Sequence, residues 1–246
     1  MARAVKEEEH TEKRNAILDA AQRLIYTKGY EQMTIQDILD ALQISKGAFY
    51  HYFDSKQDLM DALIERMIEE ADRLIRPIAY DPQLPALEKF QRLLGTLNRW
   101  KTAQKAFLLE LLHVWYSDEN AIMRQKLFTR ALKQTTSYLM VIIYQGIEEG
   151  VMVLSYPDQV SDVLLNLILG MGDTLARLLL SKGPGRDNLL HAERLIAASN
   201  EALERILGAP AGSLHLTDSE ILREWFDTPE EEASQTSLSP HALKGD

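Results

Sequence analysis

The stretch that decides the fold runs from Thr34 to Lys56 and reads TIQDILDALQISKGAFYHYFDSK. It opens with a Thr-x-x-Asp pattern, which is typical of a capping box and predicts a short helix over Ile35–Leu42. Ser45 can cap a second short helix over Lys46–Tyr52. About three residues separate the two helices, and two short capped helices at that spacing indicate a helix-turn-helix unit.

In such a unit the second helix is presented outward and enters the major groove of DNA. Helix N-termini, hydroxyls and ammonium groups suit phosphate, a glycine leaves room for close approach, and an alanine methyl can meet a thymine methyl. The candidate phosphate anchors are Thr34, Lys46, Tyr50 and Lys56, and the candidate base-reading residues are Ser45, Gly47, Ala48 and His51. Taken singly, these residues also fit plain helix caps, solvated charges or core aromatics, so the residues alone leave both interpretations open.

Helical signals dominate the rest of the chain, and the pattern predicts an all-α protein. An apolar stripe predicts a helix over residues 13–28 that stops at Gly29, and another helix runs from Ser55 to Arg76, just before a proline. Further helices are expected over residues 86–103, 104–116, 120–149, 157–181, 188–207 and 218–226. From residue 228 onward Glu, Ser, Thr and Pro dominate, which is typical of a disordered tail.

The composition excludes some classes of protein and leaves DNA binding open. The chain has 246 residues and no cysteine, which excludes a disulfide scaffold, a Cys-ligated zinc site and thiol catalysis. The formal net charge of −10 argues at first against a nucleic-acid partner. However, the last 29 residues carry two basic and eight acidic side chains, which accounts for six of the ten excess charges.

Membrane segments and secretion signals are not expected. The first 14 residues are charged and lack the apolar core of a signal peptide. The longest apolar run, Val163–Leu180, contains Asn166, Asp173 and Arg177, so it is interpreted as a buried helix of a soluble protein. The absence of cysteine fits a reducing cytoplasm, and no membrane partner is expected.

The motifs favour a binding protein over an enzyme. Glu110-x-x-His113 has the spacing of a carboxylate-bundle metal site, but the other Glu-x-x-His, Glu7 to His10, lies in the polar N-terminal segment. No phosphate loop, nucleophile elbow or HExxH motif is present. We therefore expect no enzymatic activity, no cofactor and no metal. A metal-binding helical bundle and a helical protein-binding adaptor remain as remote alternatives.

Residues 13–60 resemble the DNA-binding domain of the TetR-type (tetracycline repressor-like) transcriptional regulators. The resemblance rests on Ser-Lys-Gly-x-x-Tyr-x-x-Phe at 45–53 followed by Ser-Lys-x-x-Leu at 55–59, and on residues 17–38. It implies a flexible arm (1–12), a helix-turn-helix domain (13–60), a helical effector-binding and dimerisation domain (61–227) and an acidic tail (228–246). The sequence departs from the family at Leu39 and Leu42, where small residues are usual, and at Gln43, where glycine is usual. Ala48 also stands where the family commonly has Thr or Ser.

The resemblance further implies a homodimeric bacterial repressor in the cytoplasm, bound to an inverted-repeat operator in double-stranded DNA and released by a small-molecule effector. An activator or a ligand-independent regulator of the same fold is the alternative. Dimer contacts are expected at Leu164, Ile168, Met171, Leu175, Leu179, Leu195 and Leu203. An effector pocket is expected at Trp100, Phe107, Glu110, Leu111, His113, Trp115, Phe128, Tyr138, Tyr144, Asn166 and Asp173. Aromatic residues at helical spacing are also common in ordinary cores, which is the competing interpretation of this second set.

Overall fold

The computed structural model describes residues 2–116, 121–181 and 185–226, apart from the side chains of 2–6, 185–186 and most of 121–134. The described residues form ten α-helices and no strand. In chain order these are α1 (Ala2–Lys28), α2 (Ile35–Leu42), α3 (Lys46–Tyr50), α4 (Lys56–Ala79), α5 (Ala86–Ala103), α6 (Lys105–Trp115), α7 (Ala121–Glu148), α8 (Pro157–Leu180), α9 (Gly185–Leu207) and α10 (Ser219–Phe226). The all-α prediction is confirmed, while the acidic tail lies outside the described residues.

The first helix is longer than the sequence pattern predicts. It begins at Ala2, so residues 2–12, expected to be a flexible arm, continue the helix instead. The pattern points to residue 13 because the apolar stripe starts there, yet polar residues such as Glu and Lys are good helix formers without any buried face. The end of the helix is as expected, with Gly29 at a φ of 80°.

The two short helices of the central motif form as predicted, although α3 ends two residues early, at Tyr50. Between them, Gln43 adopts the left-handed conformation, with a φ of 52° and a ψ of 41°. It therefore keeps the backbone that a glycine would adopt more cheaply. Leu39 is buried and Leu42 is partly buried against the same core, so both leucines are accommodated inside the motif.

Helix α4 connects two hydrophobic cores. Its first half, including Leu59 and Leu63, belongs to a core shared with α1, α2 and α3, which we call the N-terminal core. Its second half contributes Ile75 and Ala79 to a larger C-terminal core built with α5, α7, α8, α9 and α10. The helix also runs through Pro77, where the sequence pattern predicts its end. A proline removes one backbone hydrogen bond, and packing of the last turn offsets that loss here.

Helix α6 lies within the predicted effector domain in sequence but packs outside that domain's core. Its buried residues Phe107, Leu111 and Val114 join the N-terminal core rather than the C-terminal one. The domain boundary expected at residue 60 therefore lies inside the shared helix α4. The N-terminal core receives a further helix from beyond that boundary.

Helix α8 is less buried in the single chain than the sequence predicts. Only four of its residues are buried, namely Ser161, Leu164, Leu165 and Ala176. Among the described helices it is the one that is long and apolar enough, by length and composition alone, to cross a membrane. It nevertheless carries charged side chains and packs against both α7 and α9.

Candidate DNA-binding surface

Helix α3 divides into a buried side and an exposed side. Phe49 has no exposed surface, and Phe53 just beyond the helix is also buried, so the two rings fix α3 against the N-terminal core. On the other side Lys46 and Tyr50 are exposed and adjacent, with the ammonium nitrogen 5.8 Å from the ring centroid. Ser45 starts the helix by accepting a hydrogen bond from the N–H of Ala48 at 3.2 Å. The predicted anchors and reading residues of α3 thus share one outward surface, with Ala48 half-buried at its edge.

Gly47 has no packing role within the described chain. A Cβ atom added there would meet only the Ser45 hydroxyl oxygen, at an ordinary contact distance of 3.9 Å. Its φ also lies outside the left-handed region, so the backbone does not require glycine. A glycine inside a helix costs about 0.5–1 kcal/mol relative to alanine. Gly47 therefore lowers the stability of α3 slightly, and no contact within the described chain requires a glycine at this exposed position.

Thr34 is engaged in a complete capping box at the start of α2. Its hydroxyl oxygen accepts from the N–H of Asp37 at 3.1 Å, while the Asp37 carboxylate accepts from the Thr34 N–H at 2.9 Å and from its hydroxyl at 2.8 Å. Lys28 forms an ion pair with the same carboxylate at 2.6 Å. The hydrogen bond from Lys28, together with those from Thr34, lowers the pKa of Asp37 to about 2.

Lys56, at the start of α4, is less free than the sequence suggests. Its ammonium nitrogen lies 4.2 Å from the ring centroid of Tyr30 and donates to the backbone carbonyl of Glu31 at 3.3 Å. Burial lowers the pKa of Lys56, and the nearby Glu31 carboxylate opposes that change. The side chain therefore helps to hold α4 against the turn after α1 in addition to any contact with DNA.

Two residues of α1 border this surface and were missed by the sequence analysis. The ring of His10 lies 5.6 Å from that of His51 and 4.6 Å from that of Tyr52. The Arg14 guanidinium lies 5.3 Å from the ring centroid of Phe53. Residues four apart share a helix face, so His10 and Arg14 could have been linked had the helix been extended below residue 13.

Comparison with known proteins shows which family this surface resembles. Residues 17–63 match the family model described as "Bacterial regulatory proteins, tetR family". Residues 17–63 are therefore similar to the DNA-binding part of the TetR family. The match begins inside α1, contains α2 and α3, and ends in α4, so it spans most of the N-terminal core.

Curated relatives carry the same kind of name. The chain is 34% identical over 94 residues to "Probable HTH-type transcriptional regulator ArpR" from Pseudomonas putida, across 38% of this chain and 44% of that protein. It is 33% identical to "HTH-type transcriptional regulator TtgR" from the same species, with the same two coverages. The chain thus matches less than half the length of these two relatives. Both relatives are named as transcriptional regulators.

Solved structures agree in fold. A transcriptional regulator from Cytophaga hutchinsonii superposes with a TM-score of 0.62 at 19% identity, covering 78% of this chain and 96% of that one. A TetR-family transcriptional regulator from Pectobacterium atrosepticum gives 0.61 at 17% identity, covering 82% and 98%. At such identities the likeness concerns the fold alone, and it confirms an N-terminal helix-turn-helix domain followed by a helical C-terminal domain.

The residues expected to form a TetR-type effector pocket do not meet in one cavity. Trp100, Phe107, Leu111 and Trp115 pack in or against the N-terminal core. Glu110 faces the turn after α1, since a Cβ added at Gly29 would lie 3.0 Å from its carboxylate. His113 is exposed, and the Phe128 side chain lies outside the described residues. The positions of the α6 residues follow from the packing of α6 against the N-terminal core.

The remaining pocket candidates make separate local contacts. Tyr138 is buried and its hydroxyl donates to Asp72 of α4, while the exposed Tyr144 donates to Asp158 at 2.6 Å. The Asn166 amide donates to the carbonyl of Asp162 in its own helix at 2.8 Å. Asp173 accepts from the Tyr116 hydroxyl at 2.6 Å and pairs with Arg177 at 2.8 Å. Polar residues that the sequence pattern singles out for a ligand are thus engaged with neighbouring residues.

Two of the predicted dimer contacts are corrected. Leu164 and Leu203 have no exposed surface in the single chain, because both lie in the C-terminal core. They therefore have no surface left to bury against a partner. The other five are only partly buried, namely Ile168, Met171, Leu175, Leu179 and Leu195.

No group of three or more potential metal ligands comes together in the described part of the chain. The Glu110-x-x-His113 pair does not converge on a second such pair there. Its carboxylate faces Gly29, while His113 is exposed.

Proposed function

We propose that this protein is a TetR-type homodimeric transcriptional repressor that binds an inverted-repeat operator in double-stranded DNA and leaves it when a small-molecule effector binds. The cytoplasm is its proposed location. The observation that carries the proposal is Gly47, an exposed helix glycine for which the fold offers no internal reason. A DNA backbone or base edge at this position supplies that reason, because only a residue without a side chain permits the closest approach.

The neighbours of Gly47 support the same partner. Lys46 adds a positive charge, Tyr50 adds a hydroxyl, and Ser45 lies at a helix start where unpaired N–H groups favour phosphate. No acidic residue occurs in α3 itself. We assign Thr34, Lys46, Tyr50 and Lys56 to phosphate. Ser45, Gly47, Ala48 and His51 remain the proposed base-reading set.

Dimerisation sets the distance between the two α3 helices in the proposed mechanism. Pairing of two chains through α8 and α9 would place two α3 helices about 34–36 Å apart, the repeat of one DNA turn. Helix α4 shares residues with both cores, so a change in the C-terminal core can alter the position of α3. In one form of the dimer the two α3 helices have the distance that DNA requires, and in another form they do not. An effector that binds the second form more tightly shifts the population away from the form that binds DNA.

The decisive experiment uses Gly47→Ala, after selection of an operator from a random duplex library with the purified protein. Alanine relieves the helix cost, so the free energy of unfolding should rise by about 0.5–1 kcal/mol. At the same time operator affinity should fall, because the methyl group occupies the space of the DNA. Higher stability with unchanged affinity would contradict the proposed contact.

Lys46→Ala tests the phosphate contact separately. Loss of one phosphate contact should weaken binding to all sequences and reduce the slope of log affinity against log salt by about one. Arg205→Ala, on the exposed face of α9, is the control that removes one positive charge elsewhere. If both variants change the slope equally, Lys46 is not a phosphate anchor.

A further inference from the structure

A groove on the outer face of α7 shares one residue, Tyr144, with the effector pocket expected from the sequence. It has a volume of about 700 Å³ and is open on one side. Its described lining is Tyr80 from the end of α4, and Ser137, Met140, Val141, Tyr144, Gln145 and Glu148 from α7. The lining therefore combines two aromatic rings and two apolar side chains with a single formal charge, which is negative.

The two tyrosine rings are held in place while part of each stays exposed. Tyr80 is 53% exposed and packs edge-on against the buried ring of Tyr138, at 5.7 Å between centroids. Tyr144 is 42% exposed, and its hydroxyl donates to Asp158 at 2.6 Å. Fixed aromatic surfaces of this kind bind flat organic molecules at a low cost in conformational entropy.

Two carboxylates lie at the groove among the residues whose side chains the structure describes. The carboxylate of Glu148 is exposed and pairs with no side chain in the described part of the chain. Asp158 adds a second carboxylate at the Tyr144 hydroxyl. The basic side chain one turn before Tyr80 is Arg76, whose charge is matched by an ion pair with Asp72 at 3.0 Å.

Aromatic rings and a carboxylate together favour a cation whose charge is spread over a ring system. We propose that this groove binds a planar organic cation, which stacks on the tyrosines and is neutralised by Glu148. The effector role of this ligand rests on the proposed function. A ligand in the groove would affect DNA binding through contacts between Tyr80 and Tyr138. The Tyr138 hydroxyl donates to Asp72 on α4, and α4 belongs to both cores.

The test measures binding of thioflavin T, a planar benzothiazolium cation, to the full-length protein by equilibrium dialysis. Its neutral analogue without the ring N-methyl group and the anionic dye anilinonaphthalene sulfonate serve as ligand controls. We expect the cation to bind at least about fivefold more tightly than either control. Equal binding of the three dyes would overturn the proposal.

Substitutions of groove residues test whether the cation binds in the groove. Glu148→Gln and Tyr80→Ala should each weaken cation binding at least about fivefold. The matched controls Glu220→Gln and Tyr26→Ala change exposed residues of α10 and α1 and should leave binding unchanged. Retained binding in the groove variants, or equal losses in the controls, would overturn the groove as the site.

A second measurement separates this site from the proposed function. Operator affinity without dye tests DNA binding alone, and its failure leaves the dialysis result for the groove intact. Operator affinity with dye should fall in the wild type but not in Glu148→Gln. Dye binding to the groove without any change in operator affinity would overturn the effector role.

Discussion

At the scale of single residues, Gln43 adopts an unfavourable backbone conformation between α2 and α3. It is the one non-glycine residue with a positive φ among those described. The left-handed region costs about 1 kcal/mol or more for a residue with a Cβ, and glycine avoids most of that cost. Gln43→Gly should therefore raise the free energy of unfolding by about 0.5–1 kcal/mol in urea titrations.

Gln43→Ala is the control, because alanine keeps the Cβ and hence the backbone strain. It should leave the free energy of unfolding nearly unchanged. An equal gain from alanine and glycine would mean that the glutamine side chain, rather than the left-handed backbone, is unfavourable at this position.

Asp37 gives the stability of the DNA-binding domain a defined dependence on acid. Its pKa falls to about 2 in the folded chain from an ordinary value of 3.8, chiefly through the hydrogen bonds from Lys28 and Thr34. A lowered pKa means that folding favours the ionised form. The resulting stabilisation is complete above about pH 4 and is lost as the pH falls toward 2.

Comparison with Asp37→Asn checks this expectation. The wild type should be the more stable protein at neutral pH, and the difference between the two should shrink between about pH 4 and about pH 2. Chemical denaturation at several pH values measures it. A difference that stays constant over that range would show that Asp37 contributes through its shape rather than its charge.

At the scale of elements, the end of α9 depends on a close approach between two backbone segments. Gly208 has a φ of 60°, and a Cβ there would lie 2.6 Å from the carbonyl oxygen of Val153. Backbone cannot move aside as a flexible side chain can, so Gly208→Ala combines strain with a clash. We expect a loss of more than about 2 kcal/mol in the free energy of unfolding.

Gly212 provides a matched control on the same segment. It also has a positive φ, of 74°, but a Cβ there meets open space. Gly212→Ala should therefore cost only the backbone strain, about 1 kcal/mol. Urea unfolding of the two variants side by side measures the difference, and equal losses would rule out the clash with Val153.

Helix ends that carry a local sequence signal were more predictable than ends that depend on polar extension or packing. The bounds of α2 follow from its capping box, because the signal that starts the helix is local. The start of α1 and the end of α4 were missed, since polar residues extend one helix without an apolar stripe and packing carries the other through Pro77. A capping residue or a proline predicts a helix end only where tertiary packing does not favour a longer helix.

At the scale of the whole molecule, the shared exposed face of the α3 residues could be predicted, and the positions of the proposed pocket residues could not. The residues from Ser45 to His51 are adjacent in sequence, so one short helix fixes their arrangement. The pocket residues are spread over four helices, and their meeting depends on which core each helix joins. The apolar pattern of α6 identifies a buried face but not the core that buries it, which turned out to be the N-terminal one.

The exposed face of α8 is the strongest structural feature left to a second chain. Gly170 and Gly172 lie exposed on this helix, and a Cβ added at either would meet nothing within 4 Å. Glycines weaken a helix, so their presence is useful only where another surface comes close. Around them Ile168, Met171 and Leu175 are only partly buried, as expected for an apolar face that a partner covers.

Gly170→Leu tests this interface without harming the single chain. Leucine is a good helix former and meets open space within the chain, so the fold should be kept or stabilised, while the added bulk should separate two chains at α8. Sedimentation equilibrium should show a dimer for the wild type and for Ala106→Leu, which adds bulk at an exposed position of α6, and a monomer for Gly170→Leu. Operator affinity should fall with dimer loss, because each monomer then binds only one half-site. A Gly170→Leu protein that remains a dimer would place the interface away from this face of α8.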